Sequence, residues 1–470
     1  GSKIRSLSEK EVVRMMQING YECVDAAGDC EIDNKETRLD KVFKAVTADE
    51  SGTYIDNMLG FKNVQVDFEC SDVMERVQRV IKTIEPHDSV ERYSKLGVEC
   101  HTGEARIKSP YEVEVNGKVL TTRNIVIATG ARPSIPPVEG IEDVDTLTSD
   151  TIWNIRKQPG KLLVLGGGPI GSELTQAFAR LGCDVTQVQR NKRLLPKEDP
   201  EVSQMVLESF QKDGINVLLQ HTPKKFFKRE GKDFLECEHN GSSVEIPFDT
   251  LLVALGRKAN TTGFGLEELG VELSPRGTIQ VDETMRTNIP NIYACGDVAG
   301  PYQFTHIAAH QAWYCAVNSM ISPFWGFKVD YSTVPWSTFT DPEVARSGLN
   351  ELEAKEQGIP YEITTYGIDD LDRAIADEAA YGTVKVLTVP GKDKILGVTI
   401  AGLHAGDIIA EYIAAMKHGF GMNKILGTIH IYPTLAESNK FAAGNWKKNN
   451  VTEKTLAWGE RINRWRRDYF

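Results

Sequence analysis

Three of the four glycines at the corner between an apolar run and a helical stretch are the residues of this sequence best suited to chemistry. Lys161-Leu-Leu-Val-Leu165 is typical of a buried strand, and Gly166-Gly-Gly168-Pro-Ile170-Gly171 follows it directly. Gly166 permits a tight turn, Gly168 lets the backbone approach a pyrophosphate, and Gly171 allows helix and strand to pack closely. A helix that begins near Ile170 presents free N–H groups to phosphates. The spacing therefore predicts a dinucleotide-binding corner.

The residue that ends the second strand of this unit indicates which dinucleotide binds. Proteins that bind NAD usually place an acid there, to hold the ribose 2′-hydroxyl. Here the strand Asp184–Val188 is followed by Gln189 and Arg190, with Lys192 and Arg193 close behind. An uncharged residue followed by bases accommodates a 2′-phosphate, so NADPH is favoured over NADH. The alternative interpretation is that these bases belong to an ordinary solvated loop.

The elements that position this corner alternate between strands and helices along the chain. This order predicts an α/β protein, and 470 residues are enough for two to four domains. The longest apolar runs are of strand length, far too short to span a bilayer. The first ten residues lack the apolar core of a secretory signal.

Charge and cysteine usage exclude several classes of protein. The net charge is −12, with 66 acidic against 54 basic residues, which argues against a nucleic-acid binder. The eight cysteines lie far apart, with no CxxC pair and no zinc-like spacing. We therefore expect the cytoplasm or another reducing compartment.

Four further motifs accompany the glycine corner. They are Ile125-Val-Ile-Ala-Thr129-Gly130-Ala-Arg-Pro133, Val253-Ala-Leu-Gly256-Arg257-Lys-Ala-Asn260, Thr287-Asn-Ile-Pro-Asn-Ile-Tyr-Ala-Cys-Gly296-Asp297, and the run from Val334 to Ala345. In order and spacing they resemble the class I pyridine nucleotide-disulfide oxidoreductases, in particular the mercuric reductase-like and dihydrolipoyl dehydrogenase-like branches. The resemblance covers roughly residues 65–450.

The resemblance implies an α/β fold with a partial FAD-binding domain, an inserted Rossmann-like NAD(P)-binding domain and an α+β dimerisation domain. With the flanking segments, the chain is expected to divide into 1–60, a helical, acidic, EF-hand-like extension; 61–155, the first, incomplete part of the FAD-binding domain; 156–280, the NAD(P)-binding domain; 281–330, the second part of the FAD-binding domain; 331–450, the dimerisation domain; and 451–470, a basic amphipathic tail.

The resemblance also implies an activity and site residues. NADPH would give hydride to FAD, which would reduce a small-molecule acceptor in a homodimer whose site the partner completes. Asp297 would bond the flavin ribitol beside Gly296, with Thr129, Gly130 and Gly256 lining the cofactor sites. Glu173 would lie behind the flavin, where the family pairs it with a lysine, and Lys3 is the candidate for that lysine.

The chain departs from the family at its front. The glycine turn for the ADP half of FAD and the redox-active CxxxxC pair are both absent, since Cys23 and Cys30 have the wrong spacing. Without that turn the diphosphate of FAD lacks a helix N-terminus, so FAD affinity is expected to fall unless another segment substitutes. Truncation and native loss both remain open.

The chain also departs at the catalytic position that the partner would supply. The family motif HxHPTxxE reads here as His430-Ile-Tyr432-Pro-Thr-Leu-Ala-Glu437. Tyr432 replaces the histidine base, and a phenol with a pKa near ~10 is a poor general base at neutral pH. Tyr432, Glu437 and Glu173 are the catalytic candidates, and His430 is interpreted as structural. The vicinal cysteines near the end of mercuric reductases are missing too, which disfavours mercury reduction.

The amino-terminal segment contains a twelve-residue run, 25–36, that resembles an EF-hand loop. Its acids, which would ligate calcium, are Asp25, Asp29, Glu31, Asp33 and Glu36. Ala27 supplies no ligand at position 3, and Cys30 replaces the turn-forming glycine. The alternative is an acidic surface loop between helices.

The carboxy-terminal tail carries Trp458, Ile462 and Trp465 at helical spacing, beside a cluster of arginines. We expect a docking helix at the dimer edge rather than a membrane-surface helix; membrane contact is expected only through this tail or a missing amino-terminal domain. The rival to the enzyme hypothesis is a nucleotide-binding or calcium-responsive module that keeps the fold without flavin chemistry.

Overall fold

The computed structural model describes residues 68–469. The acidic loop 25–36, Lys3, Cys23 and Cys30 lie outside the described residues. The helices, in chain order, are α1 (Cys70–Ile84), α2 (Val90–Lys95), α3 (Pro169–Arg180), α4 (Pro200–Lys212), α5 (Leu266–Leu269), α6 (Thr305–Ile321), α7 (Glu351–Glu356), α8 (Asp372–Ala376), α9 (Ala405–Ile408), α10 (Ala410–His418), α11 (Met422–Gly427), α12 (Glu437–Asn449) and α13 (Glu453–Tyr469).

Twenty strands accompany these helices. They are β1 (Ala105–Ser109), β2 (Glu112–Val115), β3 (Lys118–Thr121), β4 (Ile125–Ile127), β5 (Ala131–Pro133), β6 (Thr146–Thr148), β7 (Lys161–Leu165), β8 (Asp184–Gln189), β9 (Asn216–Leu219), β10 (Thr222–Arg229), β11 (Lys232–His239), β12 (Ser242–Phe248), β13 (Thr250–Val253), β14 (Arg257–Ala259), β15 (Ile292–Ala294), β16 (Pro335–Thr338), β17 (Glu343–Gly348), β18 (Glu362–Gly367), β19 (Thr383–Thr388) and β20 (Ile395–Gly402).

The first described helix ends earlier than the sequence pattern indicates. A single helix is expected over 72–96, but α1 ends at Ile84 and a 3-10 turn, Glu85–Asp88, separates it from α2. Pro86 lies in that turn, and a proline removes a backbone N–H and clashes with the preceding helical turn. The expected single helix is therefore wrong, and the strands β1, β2 and β3 that follow form an antiparallel meander.

Two strand pairs bring distant parts of the chain together beside Thr129 and Asp297, the residues predicted to contact the cofactors. Strand β4 pairs in parallel with β15, and β5 pairs antiparallel with β14. Because β4 and β15 run in the same direction, the residues after Ile127 and after Ala294 emerge at the same edge. The backbone N–H of Cys295 donates to the carbonyl oxygen of Ile127 at 3.0 Å, which fixes that edge.

A five-stranded parallel sheet carries the glycine corner. Its strand order is β6-β13-β7-β8-β9, and every neighbouring pair is parallel. Strand β7 is buried from Leu162 to Leu165, as expected for the middle of a parallel sheet covered on both faces. The edge strand β6 precedes residue 156, so the sheet uses residues on both sides of that position. Strands β10, β11 and β12 form a separate antiparallel sheet.

The carboxy-terminal part is a five-stranded sheet with the order β16-β17-β20-β19-β18, antiparallel throughout. Helices α9 to α12 form a hydrophobic core together with strands β19 and β20. That core includes Val384, Val386, Val398, Ile400, Tyr412 and Trp446. Among the described residues, no helix is both long and apolar enough to cross a bilayer.

Candidate functional site

The glycine corner lies at the end of the buried strand β7. Gly166 has a φ of +114°, which L side chains rarely adopt, and a Cβ on Gly171 would collide with the carbonyl oxygen of Gly166. At Gly168, by contrast, an added Cβ would have no protein atom within 4 Å. Ile170 lies in the first turn of α3. Two glycines therefore close the turn, while the third faces open space where a phosphate could lie.

Gln187 supports the turn, and the sequence analysis did not single it out. Its side chain is buried, and its Nε2 donates to the carbonyl oxygen of Gly166 at 2.9 Å. Gln187 lies on β8, one strand away from the corner. Alternation along β8 could have indicated that this polar residue points inward beneath the glycines.

The residues that would select the dinucleotide divide between buried and exposed positions. Gln189 ends β8 and is buried, and its Nε2 lies 2.9 Å from the position that a Cβ on Gly167 would take. Arg190 and Lys192 are exposed. The bases of this loop are thus free to face a ligand beside the glycine corner, while Gln189 packs beneath the turn.

The structure brings Thr129 and Gly130, which follow β4, into contact with Asn260, which follows β14. The hydroxyl of Thr129 donates to the carbonyl oxygen of Asn260 at 2.8 Å, and the N–H of Asn260 donates to the carbonyl oxygen of Gly130 at 2.9 Å. Gly130 and Gly256 both have positive φ, +65° and +111°, with no protein atom within 4 Å of an added Cβ. These glycines therefore line open space.

Gly296 and Asp297 follow β15. The N–H of Gly296 donates to Oε1 of the fully buried Gln311 at 2.7 Å, and Gln311 Nε2 donates to the carbonyl oxygen of Gly300. Asp297 is half-buried, and its Oδ2 lies 3.5 Å from Nε of Arg257. Gln311 thus fixes the loop that carries Asp297.

Glu173 lies on α3, two residues after the glycine corner. Its Oε1 accepts a hydrogen bond from the N–H of Phe339 at 2.9 Å, across 166 positions of sequence. Burial raises the pKa of Glu173 to about 7, although the bond from Phe339 acts in the opposite direction. Lys3, its candidate partner, lies outside the described residues.

Two residues of the predicted catalytic motif, Tyr432 and Glu437, have different hydrogen-bond partners. The hydroxyl of Tyr432 donates to Asp372 Oδ2 at 2.7 Å, and this hydrogen bond raises the pKa of the exposed phenol above its usual value. Glu437 is buried and accepts from the N–H of Thr434 at 3.2 Å. Tyr432 is therefore not hydrogen-bonded to Glu437, and its contact with Asp372 is one that the sequence analysis did not predict.

His430 holds the same loop in place. Its Nε2 lies 3.0 and 3.1 Å from the two carboxylate oxygens of Glu411, and Asn439 Nδ2 donates to Glu411 as well. The residues on either side of it, Ile429 and Ile431, are exposed. His430 is thus an anchor that leaves its neighbours and Tyr432 facing outward.

One group of carboxylates within residues 68–469 has the spacing of a metal site. Asp199, Glu201 and Glu351 lie close together, but Nζ of Lys385 contacts all three. The buried ammonium of Lys385 therefore offsets one of the three negative charges of this group. His306 and His310 belong to no such group among the described residues, and the calcium candidates in 25–36 lie outside them.

Comparison with known proteins identifies matching families and structures. The family model described as pyridine nucleotide-disulphide oxidoreductase matches residues 23–312, and that of the corresponding dimerisation domain matches residues 334–443. A mercuric reductase from Lysinibacillus sphaericus is 33% identical over 391 residues, covering 83% of this chain and 71% of that protein. A dihydrolipoyl dehydrogenase from Chlamydia muridarum is 32% identical over 398 residues, covering 83% and 82% respectively.

A solved structure agrees with these matches. The Cu(II) complex of the HOCl-induced flavoprotein disulfide reductase RclA from Escherichia coli superposes with a TM-score of 0.72 at 25% identity, covering 78% of this chain and 84% of RclA. The expected α/β fold with a dimerisation domain is confirmed.

Proposed function

Since the chain belongs to the pyridine nucleotide-disulphide oxidoreductase family and is an oxidoreductase, we propose that it transfers hydride from NADPH through FAD to a small-molecule acceptor. The family depends on FAD and uses NAD(P)H. The observation that carries the proposal is the open glycine at the corner: Gly168 faces unfilled space, while Gly166 and Gly171 close the turn behind it.

The preference for NADPH is supported by the loop after β8. Gln189 carries no charge that would repel a 2′-phosphate, and it is buried beneath the turn. The exposed bases Arg190 and Lys192 follow it directly. Charge-assisted hydrogen bonds to phosphate are among the stronger polar contacts that proteins make. This loop therefore suits the phosphorylated dinucleotide better than NADH.

The described residues fit the ribitol side of FAD. Gly130, Gly256 and Gly296 all adopt positive φ, and the first two border space that no Cβ fills. Asp297 offers a carboxylate at the common edge of β4 and β15, where it can accept hydrogen bonds from ribitol hydroxyls. Among residues 68–469 the pattern GxGxxG occurs once, at Gly166, so these residues offer no second corner of this kind for the ADP half of FAD.

When bound, FAD would accept hydride from the nicotinamide and pass the electrons onward. The protein's own groups would position and isolate that reaction. Glu173 would hold a proton near neutrality beside the buried cofactor face, since burial raises its pKa to about 7. Arg257 would compensate the charge of Asp297. Gln311 would keep the Gly296 loop rigid.

The match to the dimerisation domain supports a homodimer. In the proposed arrangement the exposed loop around Tyr432 faces the partner's flavin site. The six described cysteines are free thiols, which suits a reducing compartment. Tyr432 would offer the acceptor a neutral hydroxyl, because Asp372 keeps the phenol protonated.

A flavin titration tests the proposal. The purified chain, supplemented with FAD and freed of excess, is expected to show a flavin absorption band. Under anaerobic conditions NADPH should bleach that band at lower concentration than NADH. A chain that retains no flavin after reconstitution, or whose flavin neither nucleotide reduces, would refute the proposed transfer.

A further inference from the structure

Helix α13 is exposed along its whole length. From Glu453 to Asp468 no residue is buried, and all but two, Gly459 and Ile462, are exposed. A solvated helix is normally polar on all sides. Here two tryptophans are largely exposed to solvent: Trp458 is 67% exposed and Trp465 is 55% exposed. Such large apolar side chains indicate a surface that another body covers.

Three of the apolar residues of α13 lie on one face, while Leu456, which is 63% exposed, lies on the opposite face. Trp458, Ile462 and Trp465 occupy positions i, i+4 and i+7, which share one side of an α-helix. The helix therefore carries a narrow stripe of two indoles and one isoleucine, which we call the tryptophan stripe. The opposite face carries Glu460 and Arg467.

Arginines surround the tryptophan stripe. Residues 461–467 contain four arginines, Arg461, Arg464, Arg466 and Arg467, and no acid. By helical spacing Arg461 and Arg466 lie on either side of the stripe. One of the four, Arg467, pairs with Asp468 at 3.6 Å on the exposed surface. This cluster is opposite in sign to the whole chain, whose net charge is −12.

We propose that α13 binds the surface of an anionic lipid membrane through the tryptophan stripe. Tryptophan favours the boundary between headgroups and acyl chains, and arginine can lay its aliphatic stem along that boundary while its guanidinium reaches lipid phosphate. Helices with this combination lie in the plane of the interface. The acidic remainder of the chain would be repelled by the same surface, so attachment would occur through this helix.

Charge also decides against zwitterionic lipid as the ligand. Each arginine near an anionic surface contributes a factor of about five to the partition coefficient, and the contribution falls as salt screens it. Binding should therefore require anionic lipid and weaken at high ionic strength. A second copy of this chain is the competing occupant of the stripe, and the test separates it from lipid.

The test is sedimentation of the full chain with phosphatidylcholine vesicles made with and without phosphatidylserine. The wild type should sediment with the vesicles that contain phosphatidylserine and remain in solution with the others. Arg461→Gln/Arg466→Gln should weaken partition roughly 30-fold. Trp458→Ser/Trp465→Ser should weaken it by more than about tenfold. Thermal unfolding should be unchanged in both variants because the side chains are exposed.

Phe324 and Trp325 provide a matched control. They are 87% and 73% exposed, but they lie on the loop after α6, away from the arginine cluster in sequence. Phe324→Ser/Trp325→Ser should bind vesicles as the wild type does. The proposal is overturned if this control loses binding to the same degree, or if the wild type ignores phosphatidylserine. It is also overturned if the stripe variant changes only the oligomeric state in light scattering, since the stripe would then be a contact between copies.

Discussion

The hydroxyl of Tyr432 donates to Asp372 Oδ2 at 2.7 Å, joining two positions 60 residues apart at an exposed face of the carboxy-terminal sheet domain. The sequence motif predicts a histidine base at this position; here the phenol stands there, and its hydroxyl donates to a carboxylate on α8. Glu437 instead accepts a hydrogen bond from the N–H of Thr434. This loop is therefore arranged around a neutral hydroxyl.

The ionisation of Tyr432 should depend on Asp372. The hydrogen bond from the phenol to this carboxylate raises the pKa of Tyr432, so replacing Asp372 by Asn should lower it towards its ordinary value of ~10. The bond's contribution to stability is fully present below about pH 10 and is lost as the pH rises through the folded-state pKa. The tyrosinate absorbance difference between each protein and its Tyr432→Phe counterpart measures this pKa. Asp370→Asn, an exposed neighbour that does not bond to Tyr432, should leave it unchanged.

Glu173 should make the protein less stable as the pH rises towards 7. Its folded-state pKa is about 7 against an ordinary value of 4.5, so the folded state binds the extra proton. The penalty develops between these two values, is complete above pH 7, and is worth at most about 3 kcal/mol. The melting temperature should therefore fall further between pH 5 and pH 8 for the wild type than for Glu173→Gln.

The exposed carboxylate Glu267 supplies the control, since Glu267→Gln should follow the wild type at both pH values. A Glu173→Gln variant that is less stable than the wild type at pH 8 would contradict the prediction. That result would indicate a cation beside Glu173.

Gly168→Ala should fold normally and yet bind NADPH poorly. An added Cβ meets no protein atom within 4 Å at this position, and its φ is not positive, so stability should change by less than about 0.5 kcal/mol. The same methyl group would occupy the space proposed for the pyrophosphate. Fluorescence titration should show a Kd for NADPH raised by at least about tenfold.

Gly427→Ala is the matched substitution for that experiment, because its Cβ also enters open space at a position without positive φ. It should leave the Kd for NADPH unaffected. If Gly168→Ala binds NADPH as tightly as Gly427→Ala does, the open glycine is not the phosphate site.

Arg190→Ala/Lys192→Ala should separate the two nicotinamide cofactors. Both side chains are exposed beside the buried Gln189, and a hydrogen bond to a charged group contributes about 1.5–3 kcal/mol. We expect KM for NADPH to rise between about tenfold and a hundredfold, with KM for NADH nearly constant. Lys197→Ala, a further exposed lysine of the same loop, should change neither value; equal losses for both cofactors would exclude recognition of the 2′-phosphate.

Lys385 should be among the most sensitive positions for stability. Its side chain is 4% exposed and contacts Asp199, which is 1% exposed, together with Glu201 and Glu351. Lys385→Met would leave the buried carboxylate of Asp199 uncompensated, which costs about 3–5 kcal/mol. Lys355→Met removes an exposed lysine from the same Glu351 and should cost less than about 1 kcal/mol. Similar urea midpoints for the two variants would contradict this view of the cluster.

The sequence by itself determined the features that a short stretch of chain encodes. The corner from Lys161 to Gly171 could be predicted because strand, turn and helix are consecutive, and glycine is required by the local backbone and by close packing. The motifs at Thr129 and Asp297, which follow strands β4 and β15, could be predicted for the same reason. So could the tryptophan stripe on α13. Alternation of strands and helices was sufficient for the α/β class.

Only the tertiary structure decided which side chains meet. Glu173 contacts Phe339 across 166 positions, Tyr432 contacts Asp372 across 60, and Lys385 joins acids from two other segments. None of these pairs follows from periodicity, because a hydrogen bond between distant segments depends on how the sheets and helices pack. The motif indicated Tyr432 and Glu437 only as catalytic candidates, without hydrogen-bond partners. Packing turned Glu437 towards the backbone of its own helix start and placed Asp372 within reach of the phenol.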